Sequence, residues 1–393
     1  MKLKAGALLY AVFASVVMLV ISILILLLLD FFNQNVSFFK NEIHLKDNLH
    51  SAIQLSMALE NGSYLLDLYS EKKDSVLIVK KQWGVFNYVL VESFNNKRFL
   101  KKAALLGDRI NKSKVLELSP YNKVLNLCGK SKINGDVYLP DQGVKRAYIE
   151  GRSFVGDQLI NGTIGLSDHD WNYTLENFDK TDFQFEEDLS DSLVHPFSQE
   201  TIYIYEQDRL VLGSNSYKGN IVIESETSIF VSSQCSLEDV ILIAPIIVLE
   251  SGFSGQLQLI GSDSILIEEN VALLYPSSII CNSKKPSVKL LDSAIVEGVI
   301  FIKSQLNNRH FPNLEIHKNA LVRGQVYCHG NVEFEGSVYG QMYVDRFILH
   351  TNTTVYENHL LDITLDNSLL SSSYLGIHFD DINAKKGIVK WLD

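Results

Sequence analysis

The sequence predicts a mainly β protein: one N-terminal transmembrane helix continues into an amphipathic helix, then comes a parallel β-helix (solenoid) with an acidic insertion. Three observations predict this. The first 30 residues hold a long uncharged apolar run. The helical period of the next 40 then disappears. Finally, one short β motif recurs along the rest of the chain at spacings of one solenoid coil. The chain has 393 residues and a formal charge of −11. A net acidic body argues against a nucleic-acid binder that works by neutralising phosphates. Cys128, Cys235, Cys281 and Cys328 are scattered without a CxxC pair, so neither a zinc ribbon nor a dense disulfide scaffold is expected.

From Ala5 to Leu29 no residue is charged, and Leu, Val and Ile dominate. At about 1.5 Å per residue such a helix crosses a hydrocarbon core of roughly 30 Å with some tilt. A cleaved signal peptide has a shorter apolar region ending at a small-residue site. This run ends in Leu26-Leu27-Leu28-Leu29-Asp30-Phe31-Phe32, so an uncleaved anchor is expected. Lys2 and Lys4 are the only charges before Asp30, which places a cytoplasmic stub at residues 1–4 and exports the body. Beyond the membrane, Val36, Phe39, Ile43, Leu49, Ile53 and Met57 recur in helical steps. One helix is therefore expected to reach about residue 68, with Asn61-Gly62 able to break or kink it.

Lys4-Ala5-Gly6 before Ala7-Leu8-Leu9, followed by a long apolar helix, resembles the type IV minor pilins, and most closely the K-type pseudopilins. The resemblance implies processing after Gly6, leaving Ala7 as the first mature residue. Most members carry glutamate at the fifth mature position. Ala11 stands there in this sequence, a departure that K-type members share. The likeness covers about 60 residues, and an ordinary signal anchor explains the same apolar run.

The body begins with short strands around 76–79, 85–91 and 115–118. From about residue 120 the strands shorten further. Self-alignment exposes copies at Ile221-Val222-Ile223-Glu224, Ile247-Val248-Leu249-Glu250, Ile265-Leu266-Ile267-Glu268 and Val288-Lys289-Leu290-Leu291. Three more follow at Leu314-Glu315-Ile316-His317, Val332-Glu333-Phe334-Glu335 and Phe347-Ile348-Leu349-His350. Positions one and three are always apolar, and position four is usually Glu or His. This is a period-2 strand with one inward face, ended by a solvated residue. Gly255, Gly298, Gly324 and Gly340 follow at a steady offset, where glycine suits a tight corner.

The stretch LEIHKNALVRGQVYCHGNVEFEGSVYGQMYVDRFIL, from Leu314 to Leu349, resembles the bactofilin (polymer-forming cytoskeletal) β-helix. That resemblance implies stacked coils and nothing about role. The expected organisation has a membrane helix at 5–29, an extramembrane helix at 30–70 and a small β region at 71–119. First coils at 120–167 precede an acidic insertion at 168–217, the main β-helix at 218–365 and a cap or tail at 366–393. The insertion carries nine acidic residues from Asp168 to Asp191 against Lys180. The tail is expected to close the open end of the solenoid.

A search for chemistry finds little. Asp168-His169-Asp170-Trp171-Asn172 starts like a calcium loop, but Tyr173 stands where the turn needs glycine, and Asp179 where it needs glutamate. The column of Glu224, Glu250, Glu268, His317, Glu335 and His350 suits a solvated strand end better than a metal site. Asp380-Asp381 lies in the tail, and Cys328-His329-Gly330 has no third partner for nucleophilic catalysis. GxSxG, HExxH, Walker A and dinucleotide motifs are absent. No catalytic residue, cofactor or metal is therefore assigned, and the protein is not expected to be an enzyme. The four cysteines suit either disulfides in an exported body or buried thiols, with Cys281 and Cys328 on similar faces.

The expected role is that of a membrane-anchored exported structural or assembly protein, with a pilin-like minor subunit of a secretion or adhesion apparatus as its specific form. Its partners would be the membrane and other protein subunits, contacted through Val36, Phe39, Ile43, Ile53 and Met57. The alternative is a membrane-tethered glycan-binding or glycan-cleaving β-helix, which exposed aromatics beside paired carboxylates on one coil face would favour. The body would be periplasmic if the cell has two membranes.

Overall fold

A computed structural model describes residues 5–68, 74–95, 98–121, 123–167, 173, 175, 183–186, 190–306, 311–379 and 384–392. Internal contacts divide the protein into two compact units. The first holds residues up to Leu55 with Ser63–Ile78 and Val91–Lys101, and the second holds the remainder.

In the first unit, α1 runs unbroken from Ala5 to Ser56. Its last turns bury Leu45, Leu49, Ala52 and Ile53 at helical spacing. Val76, Ile78 and Val91 are buried apolar strand residues of this unit. The Arg98 guanidinium lies 3.5 Å above the Phe38 ring, a cation–π contact that ties strand to helix. The helix ends at Ser56, short of the expected residue 68, and the strand Gly62–Leu66 follows. In the second unit, the buried Lys80 ammonium donates to the carbonyls of Ser56, at 3.0 Å, and Leu59, at 2.6 Å. A lysine bonded to these last carbonyls caps the C-terminal end of the helix.

The second unit is a parallel β-solenoid of about 10 turns. One coil, Leu321–Phe334, shows how the sequence builds three faces. On face 1, Val322 points inward and Arg323 outward; on face 3, Val332 and Phe334 point inward and Glu333 outward. Between them, face 2 points Val326 and Cys328 inward while its outward residues, Gln325 and Tyr327, are buried as well. The inward side chains of all three faces form one continuous apolar core. Each rung pairs with the next in register, as in Leu314 with Val332 and Ile316 with Phe334.

Six of the seven predicted copies stack in one column on face 3, from Ile247 through Ile265, Val288, Leu314 and Val332 to Phe347. The seventh does not. Ile221-Val222-Ile223 lies on face 2, and face 3 of that coil is Ile229-Phe230-Val231. The two segments share one alternation, which is why periodicity confused them. Gly298, Gly324 and Gly340 do form the corner between faces 1 and 2, with φ near +145°. A Cβ on Gly340 would fall 1.8 Å from the Gly324 carbonyl oxygen, so only glycine lets the corners stack. Gly255 is not part of that corner. It pairs with Leu273, which aligns with Val296, two residues before the corner at Gly298.

The coils do not stack in sequence order. Lys114–Leu118 joins face 2 beyond the coil Ser337–His350, with Leu116 opposite Met342. Asp136–Leu139 and then Ile164–Leu166 extend the same face. The early coils are therefore appended to the late ones, and the backbone re-enters at the opposite end with Phe183–Glu186, which pairs with Thr201–Glu206. The predicted interruption at 168–217 is correspondingly shorter. Ser192–His195, Thr201–Glu206, Leu210–Leu212 and Ser216–Gly219 are ordinary rungs. All four begin after Asp191, past the acidic run that marked the predicted insertion.

The outer side of face 2 carries a second apolar core. Val222, Ile241, Val299, Phe301, Tyr327 and Tyr343 pack there against Trp83, Phe86, Tyr88, Leu105 and Leu392. Those covering residues come from strands Asp74–Trp83, Phe86–Asn95, Arg98–Asp108 and Lys386–Leu392 of a five-stranded sheet. The tail was expected to close an end, but its described residues cross this flank instead. Tyr374 donates to the Gly298 carbonyl at 2.8 Å, and Ile377 N donates to Gln325 Oε1 at 2.8 Å. A buried outward glutamine needs such partners, and the tail supplies them to Gln325.

Candidate functional site

The N-terminal helix is the feature with most exposed apolar surface. Its 52 residues extend about 78 Å at ~1.5 Å per residue, more than twice a hydrocarbon core of ~30 Å. It is long and apolar enough to cross a membrane, and its most apolar window is wholly exposed. Gly6 sits in the first turn of the helix, exposed and with nothing within 4 Å of where a Cβ would project. Ala7 lies in the same turn, while Lys2 and Lys4 lie outside the described residues.

The predicted stripe divides in two. Ile53 is buried at 2% exposure and Met57 is partly buried, so these two serve the folded body. Phe39 and Ile43 are 60% and 57% exposed, and Val36 is also exposed. Phe31, Phe32 and Phe38 extend that surface back towards the apolar run. Around it, Gln34 donates to Asp30 at 2.9 Å, and Lys46 pairs with Glu42 at 2.7 Å, one helical turn apart in each case. The helix thus alternates solvated pairs with large exposed rings.

The Glu and His at strand ends do structural work. Glu250 accepts from Ser232 Oγ at 2.8 Å and Ser233 N at 2.9 Å, and Glu268 accepts from Ser251 N at 2.9 Å. Each carboxylate therefore caps a turn of the preceding coil, and these bonds hold the Glu250 carboxyl below its ordinary range. His350 Nδ1 lies 2.9 Å from Glu333, and His317 Nε2 lies 3.5 Å from Glu315. Glu224 is on face 2, in a different column. Among the described residues no group of three His, Cys, Asp or Glu is placed to hold a metal.

All four cysteines are free and buried. Cys281 and Cys328 do share a face, as the sequence suggested, but Ile302 lies between them in the inward column. Burial pushes the Cys281 thiol up to about 12, and the Cys328 thiol well above its ordinary value. Such thiols act as apolar filling. Asp168, His169, Asp170, Trp171, Asn172, Asp179, Asp380 and Asp381 lie outside the described residues.

What the sequence reading missed is on face 2, where the outward column runs Tyr205, Glu224, Ile243, Ile260, Ile280, Phe301, Tyr327, Tyr343. Where the covering strands end, this column floors a cleft of about 570 Å³. Glu224, Ser225 and Glu226 form one side of the cleft, Ser262 and Asn282 lie on its rim, and the Gly84 turn closes the other side. Tyr203 donates to Glu224 and Tyr205 to Glu226. The two phenol rings stack at 6.4 Å, nearly parallel. Hydrogen bonding to Glu226 is the main reason that the Tyr205 hydroxyl is pushed up to about 12. The signal was present in Tyr203-x-Tyr205 and Glu224-x-Glu226, but only the register of the coils brings them together.

No protein-family model matches the sequence, and no curated protein matches it. Among solved structures, the competence-associated pilin ComZ from Thermus thermophilus aligns over 85% of each of the two proteins, at 9% identity and a TM-score of 0.23. That likeness is too slight to carry an argument. The similarity to bactofilins extends no further than the solenoid arrangement itself.

Proposed function

We propose that the protein is a membrane-anchored structural subunit of pilin-like type, with residues 5–29 in the bilayer and the β-solenoid exported. The observation that carries this reading is α1: one unbroken helix that leaves the apolar span and still exposes Phe31, Phe32, Val36, Phe39 and Ile43. A helix that served only as an anchor would gain nothing from Phe39 and Ile43, which lie beyond the interfacial layer. Their burial against neighbouring helices would supply roughly 25 cal/mol per Å² of association energy. In this reading the stub before Ala5 is cytoplasmic, and the protein has no catalytic role.

Two experiments test it. A reporter active only outside the cytoplasm should work when fused after Asp393, and activity confined to a cytoplasmic reporter would reverse the topology. Phe39→Glu combined with Ile43→Glu should leave the thermal unfolding of the full-length protein unchanged, since both residues are exposed. The same pair should abolish co-purification with other membrane proteins, and unchanged co-purification would remove the assembly role. A second reading, glycan binding, is favoured by a separate observation, the cleft beside Glu224 and Glu226.

A further inference from the structure

We propose that the face 2 cleft binds a neutral oligosaccharide lying along the solenoid axis. The first argument is shape. Glu224, Ile243, Ile260 and Ile280 belong to four successive rungs. At about 4.8 Å per rung the floor is roughly 14 Å long, a run that suits two or three sugar rings in line. The volume of about 570 Å³ lies within the usual range for ligand sites.

The second argument is chemistry. The floor is aliphatic, which suits the C–H face of a pyranose, and the half-exposed Tyr205 stands one rung before Glu224. The side carries carboxylates and the rim carries Ser262 and Asn282, which match ring hydroxyls that both donate and accept. A carboxylate offers about four lone-pair sites, so Glu226 keeps acceptor capacity beyond its bond from Tyr205. Among the described residues no Lys or Arg lines the cleft. The carboxylates of Glu224 and Glu226 disfavour a uronic-acid polymer, whereas a neutral glycan meets no such repulsion.

The third argument separates a glycan from an extended peptide. A peptide that docks on a sheet uses unpaired backbone groups at its edge. Every floor strand here is paired on both sides within the ladder, so no edge is offered. Recognition must come from side chains, which is how hydroxyl-rich ligands are held.

The test uses the full-length protein in phospholipid nanodiscs, because sugar-headed detergents would compete. It is applied to an array of immobilised neutral, amino-sugar and uronic-acid oligosaccharides, with a lysine-rich peptide spotted beside them. The expected result is binding to neutral members. Ser262→Trp on the rim should reduce it at least tenfold by obstruction, and Glu226→Gln at least threefold by loss of charge-assisted acceptance. Neither change should shift the melting temperature, since both residues are exposed. Binding confined to amino sugars, to uronates or to the lysine-rich peptide would overturn the proposal. So would no binding at all, or neutral binding that survives Ser262→Trp. The exported-reporter and co-purification results do not depend on this cleft, so the two readings fail separately.

Discussion

Faces 2 and 3 of the solenoid are made of the same kind of strand, yet they meet different surroundings. On face 3, inward Ile265 and Ile267 alternate with the part-exposed Leu266, and inward Leu314 and Ile316 flank the outward Glu315. On face 2, inward Val326 and Cys328 alternate with Gln325 and Tyr327, which are buried too. A strand covered on one side only admits polar outward residues such as Lys289, Glu315 and Glu333, whereas one covered on both sides must bury what it points outward. The difference separates a scaffold face from a face that holds other parts of the molecule, and it locates the cleft. Face 2 stays apolar on its outside beyond the point where its own cover ends.

The strongest way to break this comparison is to place charge inward on face 3. Ile267→Asp or Ile316→Asp puts an unpaired carboxylate in the continuous core and should cost about 4 kcal/mol or more, read as loss of the folded state in denaturant titration. Glu315→Lys, one residue away and outward, loses a 2.9 Å pair with Lys289 and should cost about 1 kcal/mol or less. Equal tolerance at both kinds of position would mean that the register is wrong.

A second substitution sharpens the contrast between the faces. Phe301 is outward on face 2 but wholly buried, with its ring stacked 4.8 Å from Tyr327. Phe301→Ala should cost about 3–5 kcal/mol. The corresponding outward change on face 3, Lys289→Ala, should cost about 0.5 kcal/mol or less. A silent Phe301→Ala would show that nothing covers face 2 in solution. The corner between faces 1 and 2 gives a smaller effect. Gly340→Ala forces a Cβ against the Gly324 carbonyl and should cost about 2 kcal/mol, whereas Gly213→Ala, with open space around it, should be neutral.

These contrasts also explain what could be read from sequence. The face 3 column was legible because two inward apolar positions recur with, usually, a Glu or His at the strand end, so Ile247 to Phe347 aligned by pattern alone. The corner was legible because only glycine meets its steric demand at Gly298, Gly324 and Gly340. Face 2 could not be told apart, because its inward residues keep the same alternation; Ile221-Val222-Ile223 matches Ile229-Phe230-Val231 in pattern and was misplaced for that reason. The order of the coils was also hidden. Nothing local in Lys114–Leu118 announces that it pairs with a strand more than 200 residues later. Such pairing is a global outcome of satisfying an exposed edge. The cleft was hidden by the same cause, since Tyr205 and Glu224 become neighbours only when the rungs stack.

The last effect concerns the end of α1, where the sequence pattern and the structure disagree by a dozen residues. Lys80 is buried at 2% exposure and its ammonium serves the Ser56 and Leu59 carbonyls. Burial lowers its pKa from 10.5 to about 8, with the nearby Lys386 charge adding to the effect. The folded state therefore releases this proton before the unfolded state does. Between about pH 8 and pH 10.5 the unfolded state binds more protons, so this group makes stability rise with pH across that window. Below pH 8 both states are protonated and the contribution is flat. Lys80→Met keeps most of the side-chain volume and removes the titration. Denaturant midpoints measured at pH 8, 9 and 10 should show a more positive slope for the natural protein than for Lys80→Met. The contribution from tyrosines is common to both and cancels in the difference. Identical slopes would mean that Lys80 titrates as an exposed lysine, and that its bonds to the helix end do not hold in solution.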